Sequence, residues 1–253
     1  MNSIENSKER FSNRVENYIK YRPGYPEDIV AFLAGEINFN PSWIVADIGS
    51  GTGILSRLFL DNGNSVFGIE PNNEMRKAGE KQLSNYKYFK SITGSSENTG
   101  LKTNSINLIS AGQAFHWFDF QKSKEEFKRI LKKNGYISLI WNNRKIDSSV
   151  FLHEYEKLLI NFSVDYKLVD HKNVNKKILG DFFDQYKLKI FPNFQIFNFE
   201  ELKGRLLSSS YAPMPDNPGY LPMVKELEKI FNQNEIDGKV KFEYDTELYF
   251  GTL

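Results

Sequence analysis

The sequence predicts an α/β fold with a largely parallel sheet covered by helices on both faces. Three observations support this. Strand-like and helix-like segments alternate from Trp43 to Trp141, the order that builds such a sheet. The strand candidates are short continuous apolar runs, as expected when both faces are buried. A glycine-rich turn leads directly from the first of these strands into a helix.

In order, residues 8–20 have helical character and stop before Arg22-Pro23-Gly24-Tyr25-Pro26, a turn set by two prolines around a glycine. Residues 27–36 read as a helix with Ile29, Val30, Phe32 and Leu33 as its apolar stripe. Trp43 to Ile48 is the first strand, and residues 54–61 form a helix stopped by Asn62-Gly63-Asn64. Strand Ser65 to Glu70 and helix Asn72 to Leu83 follow. Residues 86–92 and 106–111 read as strands, and 123–133 as an amphipathic helix closed by Asn134-Gly135. Tyr136 to Trp141 is a fifth strand. From about Asp147 the pattern turns mainly helical. Ser208 to Tyr220, with Pro213, Pro215 and Pro218, is loop-like. Phe194 to Phe199 and Lys241 to Tyr249 supply the sixth and seventh strands.

Composition narrows the function. With 40% hydrophobic and 15% aromatic residues the chain can bury a core. Its 33 basic residues nearly balance 32 acidic ones, so no electrostatic footprint for nucleic acid or an anionic membrane is present. It has no cysteine, which removes disulfides, thiolate metal sites and cysteine nucleophiles; no metal is expected. The N-terminus has no apolar signal core, and no run approaches about 18 apolar residues. A cytoplasmic protein without a membrane span is expected, and nothing sets its oligomeric state.

The turn Asp47-Ile48-Gly49-Ser50-Gly51-Thr52-Gly53 lets backbone approach a ligand closely. A dinucleotide fingerprint would place its third glycine at position 54, which is Ile54. No Gly-Lys-Ser/Thr follows, so a Walker loop fails too. Glu70 ends the second strand, 21 residues after Gly49, where a carboxylate can accept both hydroxyls of an adenosine ribose. Gly94-Ser95-Ser96-Glu97 follows the third strand, where side chains can meet an adenine ring.

These motifs resemble class I S-adenosylmethionine-dependent methyltransferases: Asp47 to Gly53 looks like their first motif and Ile69-Glu70-Pro71 like their second. Tyr18 with Tyr21 to Pro26, Gln113 to Phe118, Ser208 to Tyr211 and Tyr244 to Glu247 are similar to a subgroup that includes trans-aconitate methyltransferase-like proteins. The likeness is close over residues 11–142 and patchy beyond, with 147–200 poorly matched. One departure is Ser96, where many relatives carry alanine.

The resemblance implies a Rossmann-like sheet of seven strands, mostly parallel with an antiparallel last strand, and a mainly helical insertion before the last two strands. A single domain is expected, divided into an N-terminal lid and helix (1–36), a cofactor-binding core (37–146), a helical insertion (147–193) and final strands with an acceptor-side cap (194–253). It implies S-adenosyl-L-methionine as cofactor, met by Tyr18, Arg22, Asp47, Gly49, Ser50, Gly51, Gly53, Glu70, Pro71, Met75, Ser96, Glu97, Gln113 and Ala114. A small-molecule acceptor would meet His116, Trp117 and Tyr211.

His116 follows the fourth strand, where open α/β sheets place their crevice. It could act as a catalytic base, or it could pack beside Trp117 and shape the loop. His153, His171 and the lysine-rich stretch 167–177 read as surface. Two other classes stay open: an NAD(P)-dependent oxidoreductase, against which the glycine spacing argues, and a non-catalytic protein that binds S-adenosylmethionine and partners another chain.

Overall fold

The computed structural model describes residues 14–163, 166, 174 and 176–253. Helix α1 (Val15–Tyr21) and α2 (Asp28–Ile37) precede an alternating series: β1 (Ile44–Ile48), α3 (Ile54–Asp61), β2 (Ser65–Ile69), α4 (Asn73–Gln82), β3 (Phe89–Ile92) and β4 (Ile106–Gly112). A 3-10 turn (Phe115–Trp117), α5 (Phe120–Ile130) and β5 (Leu131–Arg144) complete it. The remainder comprises α6 (Val150–Phe162), α7 (Lys176–Phe182), β6 (Gln185–Phe197), α8 (Phe199–Leu207), α9 (Tyr220–Asn234) and β7 (Val240–Thr252).

One seven-stranded sheet runs β3-β2-β1-β4-β5-β7-β6. β1 to β5 pair in parallel, while β7 is antiparallel to both β5 and β6. The chain reverses its direction across the sheet between β1 and β4, so the loops leaving these strands diverge and open a crevice at their C-terminal ends. One face of the sheet packs an aromatic core of Phe115, Phe127, Trp141 and Phe182. The other packs Leu33, Phe59, Leu108 and Phe250 among α2 and α3. A third cluster joins α6, α8 and α9 to Phe197, Val240, Phe242 and Tyr244 at the ends of β6 and β7.

Local chemistry explains the starts and stops. Asn72 caps α4 through a bond from Met75 N at 3.0 Å, and Asp119 caps α5 through Lys122 N at 3.2 Å. Asn198 and Glu201 form a reciprocal capping box on α8.

Several expected boundaries move. Helix α5 occupies 120–130, not 123–133, because Asp119 caps it early and Leu131 turns extended to pair with Ile106. Asn134-Gly135 therefore lies in an irregular part of β5, where the register shifts between Ile106 and Leu108. Strand β3 begins at Phe89 because Tyr86 to Phe89 forms a turn, with Phe89 N bonded to Tyr86 O at 3.0 Å. The sixth strand begins at Gln185 rather than Phe194, and every residue from 185 to 197 is paired with β7; residues 185–193 are thus sheet, not helical insertion. Of the helix read over 8–20, residues 8–13 lie outside the described residues, as do His171 and most of the lysine-rich stretch. His153 is exposed. Among the described residues no helix is long and apolar enough to cross a membrane.

Candidate active site

The glycine turn closes over the end of β2. Gly49 N and Ser50 N both donate to Ile69 O, at 2.9 and 3.1 Å. Gly49 has φ 70°, and a Cβ on it would fall 2.7 Å from Ala114 Cβ. Gly53, with φ 84°, starts α3, and a Cβ there would meet Leu83 Cδ1 at 2.5 Å. Only glycine fits either position without displacement.

Glu70 is 7% exposed. Gly51 N donates to its Oε2 at 2.8 Å and Asn72 N to its Oε1 at 2.7 Å, so two backbone bonds fix the carboxylate against the glycine turn. Asp47 is fully buried. Ser56 Oγ donates to its Oδ2 at 2.6 Å, while Oδ1 accepts no hydrogen bond. Burial pushes this carboxyl up to about 7; the Ser56 bond opposes the shift and nearby Glu70 adds to it. At Glu97 burial acts to raise the pKa, but hydrogen bonds from Ser95, the Asp119 amide and Ser96 outweigh it and hold the group below the usual carboxylate range.

Two cavities lie over the ends of β1, β2 and β4. One is lined by Glu70, Pro71, Met75, Ser96, Glu97 and Ala114, the other by Arg22, Asp47, Ser50, His116 and Tyr211. They share Tyr18, Gly49, Gly51, Gly112, Gln113 and Trp117, and so form one continuous cleft. Every site residue expected from the sequence lines this cleft except Gly53, which instead supports the packing of α3 against Leu83. Gln113 sits where the cavities meet with φ 55°, a conformation uncommon for a side chain of this size. Its amide donates to Ile140 O at 2.9 Å, holding the strained turn in place. The His116 ring lies 4.9 Å from that of Trp117.

Arg22, Pro23 and Tyr25, in the segment after α1, line the cleft. Arg22 donates to Ser208 O at 2.8 Å, and its guanidinium lies 5.0 Å from the Tyr18 ring centre. The Gly24 carbonyl accepts from Asn142 Nδ2 and Asn193 Nδ2, at 3.2 and 2.9 Å. Arg14 reaches the carbonyls of Leu207, Ser209 and Ala212, so the N-terminal segment is fastened to the loop that carries Tyr211.

Sequence reasoning left out Arg144, Tyr166 and Arg205, which also line the cleft. Arg144 ends β5, and position at a strand's C-terminal end was a usable signal. Arg205 gave none.

Residues 46–139 match the family model described as a methyltransferase domain. An uncharacterized methyltransferase of Schizosaccharomyces pombe is 28% identical over 200 residues, covering 79% of this chain and 77% of the relative. An uncharacterized methyltransferase-like protein of the same yeast is 24% identical, covering 94% and 93%. Among solved structures, a candidate type II methyltransferase of Anaeromyxobacter dehalogenans superposes with TM-score 0.69 at 16% identity, over 92% of this chain and 98% of its own. The Haemonchus contortus phosphoethanolamine N-methyltransferase 2, in complex with phosphomonomethylethanolamine and S-adenosylhomocysteine, gives TM-score 0.52 at 15% identity, over 91% of this chain and 53% of its own. At these identities the solved structures show the shared fold. Domain, relatives and fold together indicate an S-adenosylmethionine-dependent methyltransferase.

Proposed function

We propose that the protein methylates a small-molecule acceptor by in-line displacement, with the nucleoside of S-adenosylmethionine held against Glu70 and the acceptor beside His116, Trp117 and Tyr211. The observation that carries this is the junction of Gly51 N with Glu70 Oε2 at 2.8 Å, in a cavity that Gly49 and Gly51 of the turn also line. A carboxylate so oriented can accept ribose hydroxyls as well as backbone donors. When bound, S-adenosylmethionine supplies a methyl group already activated on a sulfonium. The protein's part is then to align the reactants and exclude water.

The buried polar atoms fit that ligand. Asp47 Oδ1, without a partner, suits a cationic ammonium, and Arg22 Nε, likewise without one, suits the carboxylate of a methionine moiety. Placement within the subgroup that includes trans-aconitate methyltransferase-like proteins rests on the motif residues around Tyr18 to Pro26 and Gln113 to Phe118. In this reading Arg14, α8, α9 and the Ser208 to Tyr220 loop form the cap over the acceptor.

Glu70→Ala should weaken S-adenosylhomocysteine binding about tenfold or more, because a hydrogen bond to a charged group contributes roughly 1.5–3 kcal/mol. Calorimetric titration of a variant with native circular dichroism is the check. Unchanged affinity would remove Glu70 from the site.

A further inference from the structure

Three side chains are common to both cavities of the cleft: Tyr18, Gln113 and Trp117. A group passed from one cavity to the other moves beside them. Gln113 is held there against its own backbone preference. Its φ of 55° is a conformation that glycine adopts freely and a side chain resists. A turn with no further task would be served better by glycine.

The amide of this side chain is also aimed. Gln113 Nε2 donates to Asn142 O at 3.2 Å. A carbonyl can only accept, so the NH2 end of the amide faces Asn142 and the oxygen end is turned from it. Oε1 takes no hydrogen bond among the described residues. Asn142 is fixed in turn: its Oδ1 accepts from Thr246 Oγ1 at 2.5 Å and Asn193 Nδ2 at 3.2 Å, and its Nδ2 donates to Gly24 O at 3.2 Å. Asn142 and Thr246 are both buried, and a satisfied buried network of this kind is rigid.

Charge does not single out an acceptor here, because Asp47 lines the same cavity as Arg22, Arg144 and Arg205. Hydrogen-bond polarity at the junction does. A carboxylate nucleophile would set its lone pairs against the Gln113 oxygen. A hydroxyl can donate to that oxygen but must lose the same proton on methylation, and an amide oxygen is too weak a base to take it. An uncharged amine donates one N–H and keeps its lone pair for the methyl. As the nitrogen turns positive its bond to Oε1 strengthens, so the contact favours the transition state over the ground state.

We propose that Gln113 Oε1 accepts a hydrogen bond from the nucleophile, and that the acceptor is an uncharged amine carrying at least one proton on nitrogen. This rests on the methyltransferase reading of the same cleft. The nitrogen lone pair forms the bond to the methyl carbon as the C–S bond breaks, and that bonding pair stays on sulfur. The sulfonium becomes a neutral thioether and the amine becomes an ammonium ion. The ammonium keeps its proton until water takes it after release, so no base is needed at the moment of transfer.

The test uses the intact protein saturated with S-adenosylhomocysteine and three probes of matched shape: aniline, which is uncharged at neutral pH, benzoate and toluene. The side-chain amide of Gln113 is followed by NMR, its signal identified as the one missing from Gln113→Leu. Aniline should bind and move that signal, and benzoate and toluene should not. Gln113→Leu and Gln113→Gly should each weaken aniline binding about tenfold, while S-adenosylhomocysteine affinity changes by less than about twofold. Gln113→Gly suits the positive φ and keeps the test valid if Gln113→Leu fails to fold, the signal then being the one missing from Gln113→Gly. A shift with benzoate or toluene, no shift with any probe, or undiminished aniline binding in a folded variant would overturn the proposal. An equal fall in S-adenosylhomocysteine affinity would overturn it too, by assigning the amide to the cofactor. Failure of the wild-type protein to bind S-adenosylhomocysteine would instead overturn the cofactor reading, and that is seen before any probe is added.

Discussion

Asp47 lies at the end of β1 with one oxygen bonded to Ser56 and the other turned to the cleft without a hydrogen bond. Its carboxyl is raised from the ordinary 3.8 to about 7, chiefly by burial. An acid whose pKa is higher in the folded state holds its proton more tightly there. Its contribution is complete below pH 3.8 and is lost as pH rises through about 7. Asp47→Asn should therefore flatten the fall in stability of the unliganded protein between those limits, and exceed wild type at pH 8 by on the order of a few kcal/mol. Denaturant unfolding across pH measures this; identical pH profiles would mean that Asp47 does not titrate in that window. At this scale the part of the cleft around the glycine turn and Glu70 was legible and the part around Arg144 and Arg205 was not. Asp47, Gly49, Gly51 and Glu70 lie within a few residues of strand ends, where spacing along the sequence places them at one end of the sheet. Arg144 and Arg205 are 61 positions apart and come to line one cavity only through tertiary packing, which periodicity cannot reveal.

Among the elements, α1 has the clearest consequence for dynamics. It packs against α8, and Gln195 Nε2 donates to Tyr21 O at 3.2 Å. It buries none of its own seven residues fully, so its docking depends on Arg14 and on the turn that follows. Segments of this kind open at low cost and serve as lids. Trypsin should cut after the exposed Lys20 faster in the unliganded protein, and S-adenosylhomocysteine should slow that cleavage severalfold. Equal rates would show that α1 does not close on the ligand. The core strands and helices were legible because their apolar periods are regular. Helices α8 and α9 were hidden for local reasons. Asn198 with Glu201 is a readable capping signal that the surrounding aromatic-rich strand obscured. Pro222 falls in the first turn of α9, where its missing amide is tolerated, yet with Pro213, Pro215 and Pro218 before it the region reads as continuous loop. The long β6 was shortened because Lys187, Lys189 and Pro192 break the apolar pattern on an edge strand that needs little of it.

Across the whole molecule, Glu70 and Glu97 line one cavity of the cleft, Asp47 lies with Arg22, Arg144 and Arg205 in the other, and the shared residues from Gly49 to Trp117 lie between. Crossing from β1 to β4 creates the crevice, and Arg205, Ser210 and Tyr211, between β6 and β7 in the chain, line its far side. A dinucleotide of similar shape would also meet the glycine turn and Glu70, so ligand identity decides between this reading and an oxidoreductase. Calorimetric titration of the intact protein with S-adenosylhomocysteine, run beside an identical titration with NADH, tests that choice most directly. Saturable binding of S-adenosylhomocysteine with no heat beyond dilution for NADH is the predicted result. Saturable binding of NADH with none for S-adenosylhomocysteine would contradict the account.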